Sequence, residues 1–149
     1  GNTRSLAEAI GEGAGQVEGV EVVLRHTRGV NKDDFISAQG LIIGSPVYFG
    51  TMAAQLKQVL DDFVGVRRKM ENKVGAAFTT SGDPTGGKET TMLSIIQAML
   101  IYGMIIVGDP LSATGHYGTA CVGAPDGAAQ ENGRKLGQRV AELVKQLNS

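Results

Sequence analysis

The chain has 149 residues, 42% of them apolar, and a formal net charge of −1. That suits one domain with a buried core, and it argues against a disordered chain, a membrane span or an electrostatic binder of nucleic acid. The single Cys121 excludes an internal disulfide and fits a reducing, cytoplasmic compartment. In chain order, residues 3–17 place Leu6, Ala7, Ile10, Ala14 and Val17 at helical spacing. Gly11, Gly13 and Gly15 weaken that helix by roughly 1 kcal/mol each where they fall inside it. Residues 20–25 (VEVVLR) read as a strand, and residues 31–38 as a short helix opened by Asn31 as N-cap. Residues 40–45 (GLIIGS) are a short continuous apolar strand of the kind buried on both faces, stopped by Pro46. Residues 52–63 form an amphipathic helix with Leu56, Val59, Leu60 and Phe63 inward. A third strand over 73–79, an apolar helix over 88–101 and a fourth strand over 104–108 follow. The last helix, 128–147, aligns Leu136, Val140, Leu143, Val144 and Leu147 on one side.

Helices alternating with strands predict a single α/β domain over 1–149: a parallel sheet with helices on both faces, in three layers. A doubly wound sheet of order 2-1-3-4-5 has its first strand in the centre, whereas this chain opens on a helix. A sheet without its middle strand leaves two unpaired edges in the core. The expectation is therefore a hydrophobic strand upstream of Gly1.

Three loops at predicted strand or helix boundaries carry the chemistry. Gly1-Asn2-Thr3 precedes the first helix, where free amides and small polar side chains suit an anion such as a phosphate, or simply cap the helix. No P-loop lysine follows, which argues against hydrolysis of a nucleoside triphosphate. Ser45 to Met52 sets Tyr48 and Phe49 between Pro46 and Gly50, either as a flat wall for a ring system or as a plug over the core. Thr79 to Glu89 is rich in glycine and hydroxyls, so its backbone can approach a ligand closely; the alternative is a long surface loop before a helix. Ligands of open α/β sheets bind at the carboxyl ends of the strands, where these loops gather.

The same segments resemble the flavodoxin-like proteins over nearly the whole chain, and most closely the WrbA-type NAD(P)H:quinone oxidoreductases. Gly1-Asn2-Thr3 resembles the end of that family's phosphate loop. Gly44 to Met52 resembles its flavin loop, Phe78 to Glu89 its glycine-rich loop, and Tyr102-Gly103-Met104-Ile105-Ile106-Val107 its His-Gly-Met-x-Ile-Val segment. The resemblance implies flavin mononucleotide (FMN) as cofactor, with Asn2 and Thr3 on its phosphate. Pro46, Val47, Tyr48, Phe49 and Gly50 would line the isoalloxazine. Thr80, Ser81, Gly82, Gly86 and Gly87 would hold the pyrimidine edge and ribityl chain. Tyr102 stands where the family has a flavin-contacting histidine, and His116-Tyr117-Gly118 resembles a loop near the site. Tyr102 and His116 are candidates for positioning substrate. No residue is assigned as catalytic and no metal is expected.

The implied activity is two-electron reduction of a quinone by NAD(P)H as co-substrate. The alternative is a flavodoxin acting as a one-electron carrier, against which the near-neutral charge and the lack of tryptophan argue. A receiver domain is rejected because the strand at 40–45 ends in Ser45-Pro46, with no phosphorylatable aspartate. A module that has lost its flavin is disfavoured by the intact second and third loops. Three departures stand out: Asp83-Pro84-Thr85 adds a residue and a charge to the third loop, Tyr102 replaces the histidine, and the WrbA insertion around the second helix is missing. That insertion helps build the family's tetramer, so a homo-oligomer, dimer or tetramer, is left open. Cys121 and the methionines read as core, Arg67-Arg68-Lys69 as a solvated face, and His26 as surface.

Overall fold

The computed structural model describes residues 1–149. Its elements in order are α1 (Asn2–Gly15), α2 (Lys32–Ser37), β1 (Gly40–Tyr48), β2 (Thr51–Met52), α3 (Ala54–Asp62), a 3-10 helix (Phe63–Met70), β3 (Val74–Ser81), α4 (Lys88–Ile101), β4 (Ile105–Ile106), β5 (Gly118–Val122) and α5 (Gly127–Leu147). The short α2 forms because Asn31 and Asp34 cap it reciprocally: the Asp34 amide donates to Asn31 Oδ1 at 2.9 Å, and the Asn31 amide to Asp34 Oδ2 at 3.0 Å. No helix is long and apolar enough to cross a membrane.

β3 is the buried centre of the sheet, with all eight of its residues buried. It pairs in parallel with β1 from Gly40↔Val74 to Pro46↔Thr80. On its other side β4 covers Val74–Gly75 and β5 covers Ala77–Ser81, so two short strands share one edge line. Residues 107–117 loop out between them. β5 corrects the sequence reading, which ended the sheet at residue 108; five small residues around Thr119-Ala120-Cys121 carry too little apolar pattern to show as a strand.

Alternating residues of β3 face two cores. Val74, Ala76 and Phe78 pack with Leu6 and Ile10 of α1 and Leu136 and Val140 of α5. Ala77 packs with Leu56 and Leu60 of α3 and Met92, Ile95 and Met99 of α4. The result is the expected three-layer α/β arrangement with helices on both faces.

The predicted strand at 20–25 does not pair. Those residues have no regular secondary structure, and Val22, Val23 and Leu24 are exposed. Extended β-branched sequence becomes a strand only when a neighbour accepts its hydrogen bonds, and no strand of residues 1–149 lies beside it. β1 shows the complementary opening. Opposite β3 it pairs only at its tip, through Val47↔Met52 and Tyr48↔Thr51 with β2, and Leu41, Ile42 and Ile43 are half-buried.

Candidate functional site at the carboxyl ends of the strands

The register aligns Pro46, Thr80 and Cys121 across three strands, and the loops that follow them converge. At the end of β1, buried Ser45 fixes the departing chain: its Oγ accepts the Ala53 amide at 2.8 Å and donates to the Pro46 carbonyl at 2.7 Å. That ties the start of α3 to the strand end and leaves Pro46 to Tyr48 running on as one arm of a hairpin with β2. The tip is a two-residue turn, Phe49-Gly50, with φ of +49° and +76°. Both signs suit a turn whose twist matches the strands. Glycine adopts this freely, whereas Phe49 is strained there, at a cost of order 1–3 kcal/mol. Its side chain is fully exposed and that of Tyr48 more than half exposed. The aromatics therefore do not plug the core; they stand above it as a free apolar wall.

The third loop folds on itself through Asp83. Thr85 donates from its amide and its hydroxyl to Asp83 Oδ1, each at 2.8 Å, while Ser81 Oγ at 2.7 Å and the Gly86 amide at 3.1 Å donate to the Asp83 carbonyl. The Thr85 amide, and then its hydroxyl, hold the Asp83 carboxyl below the usual range, so it is ionised at neutral pH. Asp83 is thus the residue that organises this loop. At the far end, Gly87 (φ +113°) lies so near Gly50 that a Cβ would stand 2.8 Å from the Gly50 Cα, and Thr90 Oγ1 donates to the Gly50 carbonyl at 2.6 Å. Second and third loops are bolted together there.

The first loop joins them through one bond, Thr3 Oγ1 to Thr80 Oγ1 at 2.7 Å. In α1 the first intrahelical bond runs from the Ser5 amide to the Gly1 carbonyl, so the amides of Asn2, Thr3 and Arg4 have no partner within the helix. Gly1 supplies no side-chain cap. Three free amides and two touching hydroxyls form an uncharged cradle for an anion.

Asn2, Thr3, Pro46, Val47, Tyr48, Phe49, Gly50, Thr80, Ser81, Gly82, Gly86 and Gly87 therefore sit on one edge of the sheet. Tyr102 does not. It follows α4 and precedes β4, whose Ile105 pairs with Val74 at the amino end of β3, about 23 Å along the strand from Ser81. It is buried, its hydroxyl donates to the Leu60 carbonyl at 2.6 Å, and burial, then the Asp61 charge, push its phenol up. A linear motif matched there, but the parallel register carries it to the wrong end of the sheet, and Tyr102 is a core residue. His116 is also displaced. It precedes Gly118, which pairs with Ala77, about 13 Å short of the carboxyl end. Its amide donates to buried Asp109 at 2.7 Å, with Thr114 and Gly115 amides on the same carboxylate at 3.0 and 3.1 Å, so its backbone anchors the 107–117 loop while its ring is exposed.

Sequence reasoning missed the roles of Ser45 and Thr90 and the turn after β5, where the Gly123 amide donates to the Ser81 carbonyl at 2.8 Å. A hydroxyl that braces a loop leaves no periodic signal. Cys121 is packed beside that turn; burial first, then the Asp126 charge, push its thiol up, with Lys88 opposing, so it is a poor nucleophile at neutral pH.

Residues 31–119 match the family model described as NADPH-dependent FMN reductase. The chain is 35% identical to a flavodoxin of Aquifex aeolicus, over 97% of its own length and 81% of that protein. It is 34% identical to an NAD(P)H dehydrogenase (quinone) of Archaeoglobus fulgidus, over 99% of its length and 93% of that protein. Its fold superposes on a WrbA-like protein of Agrobacterium tumefaciens with a TM-score of 0.82 at 25% identity, covering 98% of this chain and 91% of that one. With the loops of an open α/β sheet converging as described, the chain belongs to the NADPH-dependent FMN reductase family and has a flavodoxin-like fold.

Proposed function

We propose that the three loops bind FMN and that the chain is an oxidoreductase passing two electrons from NAD(P)H to a small-molecule acceptor of the quinone class. The observation that carries this reading is the strained, fully exposed Phe49 beside exposed Tyr48, on a hairpin fixed by Ser45 and Gly87. A folded domain spends strain and leaves large apolar rings in water where a flat ligand covers them. The residues present fit the cofactor. The Asn2, Thr3 and Arg4 amides with the Thr3 and Thr80 hydroxyls would take the phosphate. The Phe49 and Tyr48 rings would take one face of the isoalloxazine, and the Gly82 and Gly86 backbone its polar edge and ribityl chain. Bound FMN supplies the electron transfer. The chain positions the ring, keeps water from one face, and requires no acid or base of its own. A reducing, cytoplasmic setting suits this chemistry.

The relative named a flavodoxin favours a second reading, a one-electron carrier. One titration separates the two. FMN added to the purified protein is expected to bind stoichiometrically with quenched flavin fluorescence, and NADPH or NADH with a benzoquinone to be turned over catalytically. Binding without turnover supports the carrier; fluorescence unaffected by protein refutes both.

We also propose that a strand seated between the open edge of β1 and residues 20–25 completes the sheet. Both edges present unpaired backbone and half-exposed β-branched residues, and such a strand would run toward the Gly1–Thr3 loop. In a chain extended upstream of Gly1, amide exchange at Val22–Leu24 and Ile42–Ile43 is expected to be slow. Rapid exchange there in the extended chain would refute the added strand.

A further inference from the structure

Three lysines are half-buried: Lys73, Lys88 and Lys135. Lys73 donates its Nζ to the Phe35 and Ile36 carbonyls at 3.0 and 2.7 Å, and Lys135 donates to the Ser112 carbonyl at 2.7 Å. Lys88 makes no ion pair, and its ammonium has no acceptor within the chain. An ammonium that gives up part of its hydration is offset only by a partner, so an unpaired one marks a place where negative charge can be taken up. Lys88 stands at the carboxyl edge of the sheet. It is the first residue of α4, directly after Gly86 and Gly87, and its carbonyl accepts Thr79 Oγ1 at 3.5 Å, over the end of β3. Its charge is felt at the Cys121 thiol, and Cys121 pairs with Thr80. The ammonium is thus within electrostatic reach of the strand ends from which the third loop departs.

We propose that Lys88 is the electrostatic partner of reduced FMN, stabilising the negative charge that the pyrimidine edge gains on reduction. This rests on the reading of the three loops as the FMN site. Hydride transfer from NAD(P)H delivers two electrons and one proton to flavin N5, so the ring gains one negative charge, spread over N1 and the C2 carbonyl. A cation at that edge binds the reduced ring more tightly than the oxidised one. It therefore raises the potential and favours acceptance of the hydride. Three carboxylates act in the opposite sense, Asp83, Glu89 and Asp126, and all three are exposed. Asp83 is also turned onto Thr85, and Asp126 onto the Ala129 amide. A charge facing bulk water acts through a dielectric of about 80, against about 20 for a half-buried one, a roughly four-fold handicap before salt screening. Lys88 is the group that sets the sign.

Redox titration of the FMN-loaded whole chain against a dye of known potential tests it, beside fluorescence titration of oxidised FMN. Lys88→Gln is expected to raise the ratio of reduced to oxidised FMN dissociation constants about 10-fold, a fall of about 30 mV in the two-electron potential. Lys88→Arg keeps the charge and is expected to stay within about 3-fold of the parent chain. Asp83→Asn, which retains the Oδ1 acceptor for Thr85, is expected to shift the ratio the other way and by less. Both constants come from one variant, so a general loosening of the loop cancels in the ratio. A ratio unchanged within about 2-fold in Lys88→Gln overturns the assignment and leaves the FMN site standing. So do equal losses in Lys88→Gln and Lys88→Arg, or a larger effect of Asp83→Asn. A parent chain that leaves flavin fluorescence unaffected overturns both readings.

Discussion

Replacing Gly87 with alanine is expected to lower FMN affinity by about 10- to 100-fold while leaving the sheet folded. Two independent terms act against the side chain. At φ +113° an L residue lies outside the left-handed well that asparagine or aspartate can use, a cost of order 1–3 kcal/mol. The new methyl would also stand 2.8 Å from the Gly50 Cα and 2.9 Å from Thr90 Oγ1, so the second and third loops must part or Thr90 must release the Gly50 carbonyl. Either movement displaces the turn that presents Phe49. Because the contact lies between loops, above the buried strands, the loss is expected in binding first and in global stability second. Flavin fluorescence titration beside a thermal melt reads both. Gly65→Ala is the control, since no atom lies within 4 Å of its added methyl and its φ is not positive. Unchanged FMN affinity in Gly87→Ala would remove the loop junction from the proposed site.

The reach of sequence reasoning divides along a physical line. Elements specified by their own residues were legible: α4 runs from Lys88 to Ile101 as its apolar run predicts, and Asn31 is the N-cap of α2 that its position suggests, with Asp34 reciprocating. The three loops were legible for a similar reason, because Pro46, Gly50 and the glycines after Ser81 restrict or release the backbone locally. What depends on a neighbour was not. Residues 20–25 have strand sequence and no strand, because pairing belongs to two segments. β5 has little strand signal and yet pairs along five residues, because β3 offers an edge there. Tyr102 was misplaced by the same limit: adjacency to a motif along the chain says nothing about which end of a parallel strand the motif occupies. The bracing hydroxyls of Thr3 and Thr90 act across 77 and 40 residues of sequence, and that of Ser45 across a loop of eight, so only the folded chain pairs them.

The glycines of α1 show the distinction most sharply, and they carry the second large prediction. Propensity alone treats Gly11 and Gly13 alike, as helix-weakening residues worth roughly 1 kcal/mol each. Packing separates them. A Cβ on Gly11 would meet only Val22 Cγ1, at an ordinary 3.6 Å. A Cβ on Gly13 would fall 1.9 Å from the Arg134 carbonyl oxygen, and one on Gly137 1.9 Å from the Ile10 carbonyl oxygen. At this crossing α1 and α5 approach backbone to backbone, with no flexible side chain to yield. Gly11→Ala is therefore expected to stabilise the protein by about 0.5–1 kcal/mol through helix propensity. Gly13→Ala and Gly137→Ala are expected to destabilise it by about 3 kcal/mol or more, since the helices must separate along their contact. For a chain of this length that is a fall of roughly 6–12 °C in Tm. Urea denaturation of the three variants checks the opposite signs, and equal effects at positions 11 and 13 would refute the close crossing. The consequence reaches the site. The free amides of Asn2 and Thr3 are the far end of the same rigid helix, so a partly folded Gly13→Ala is also expected to bind FMN more weakly, because α5 no longer holds the proposed phosphate site in place.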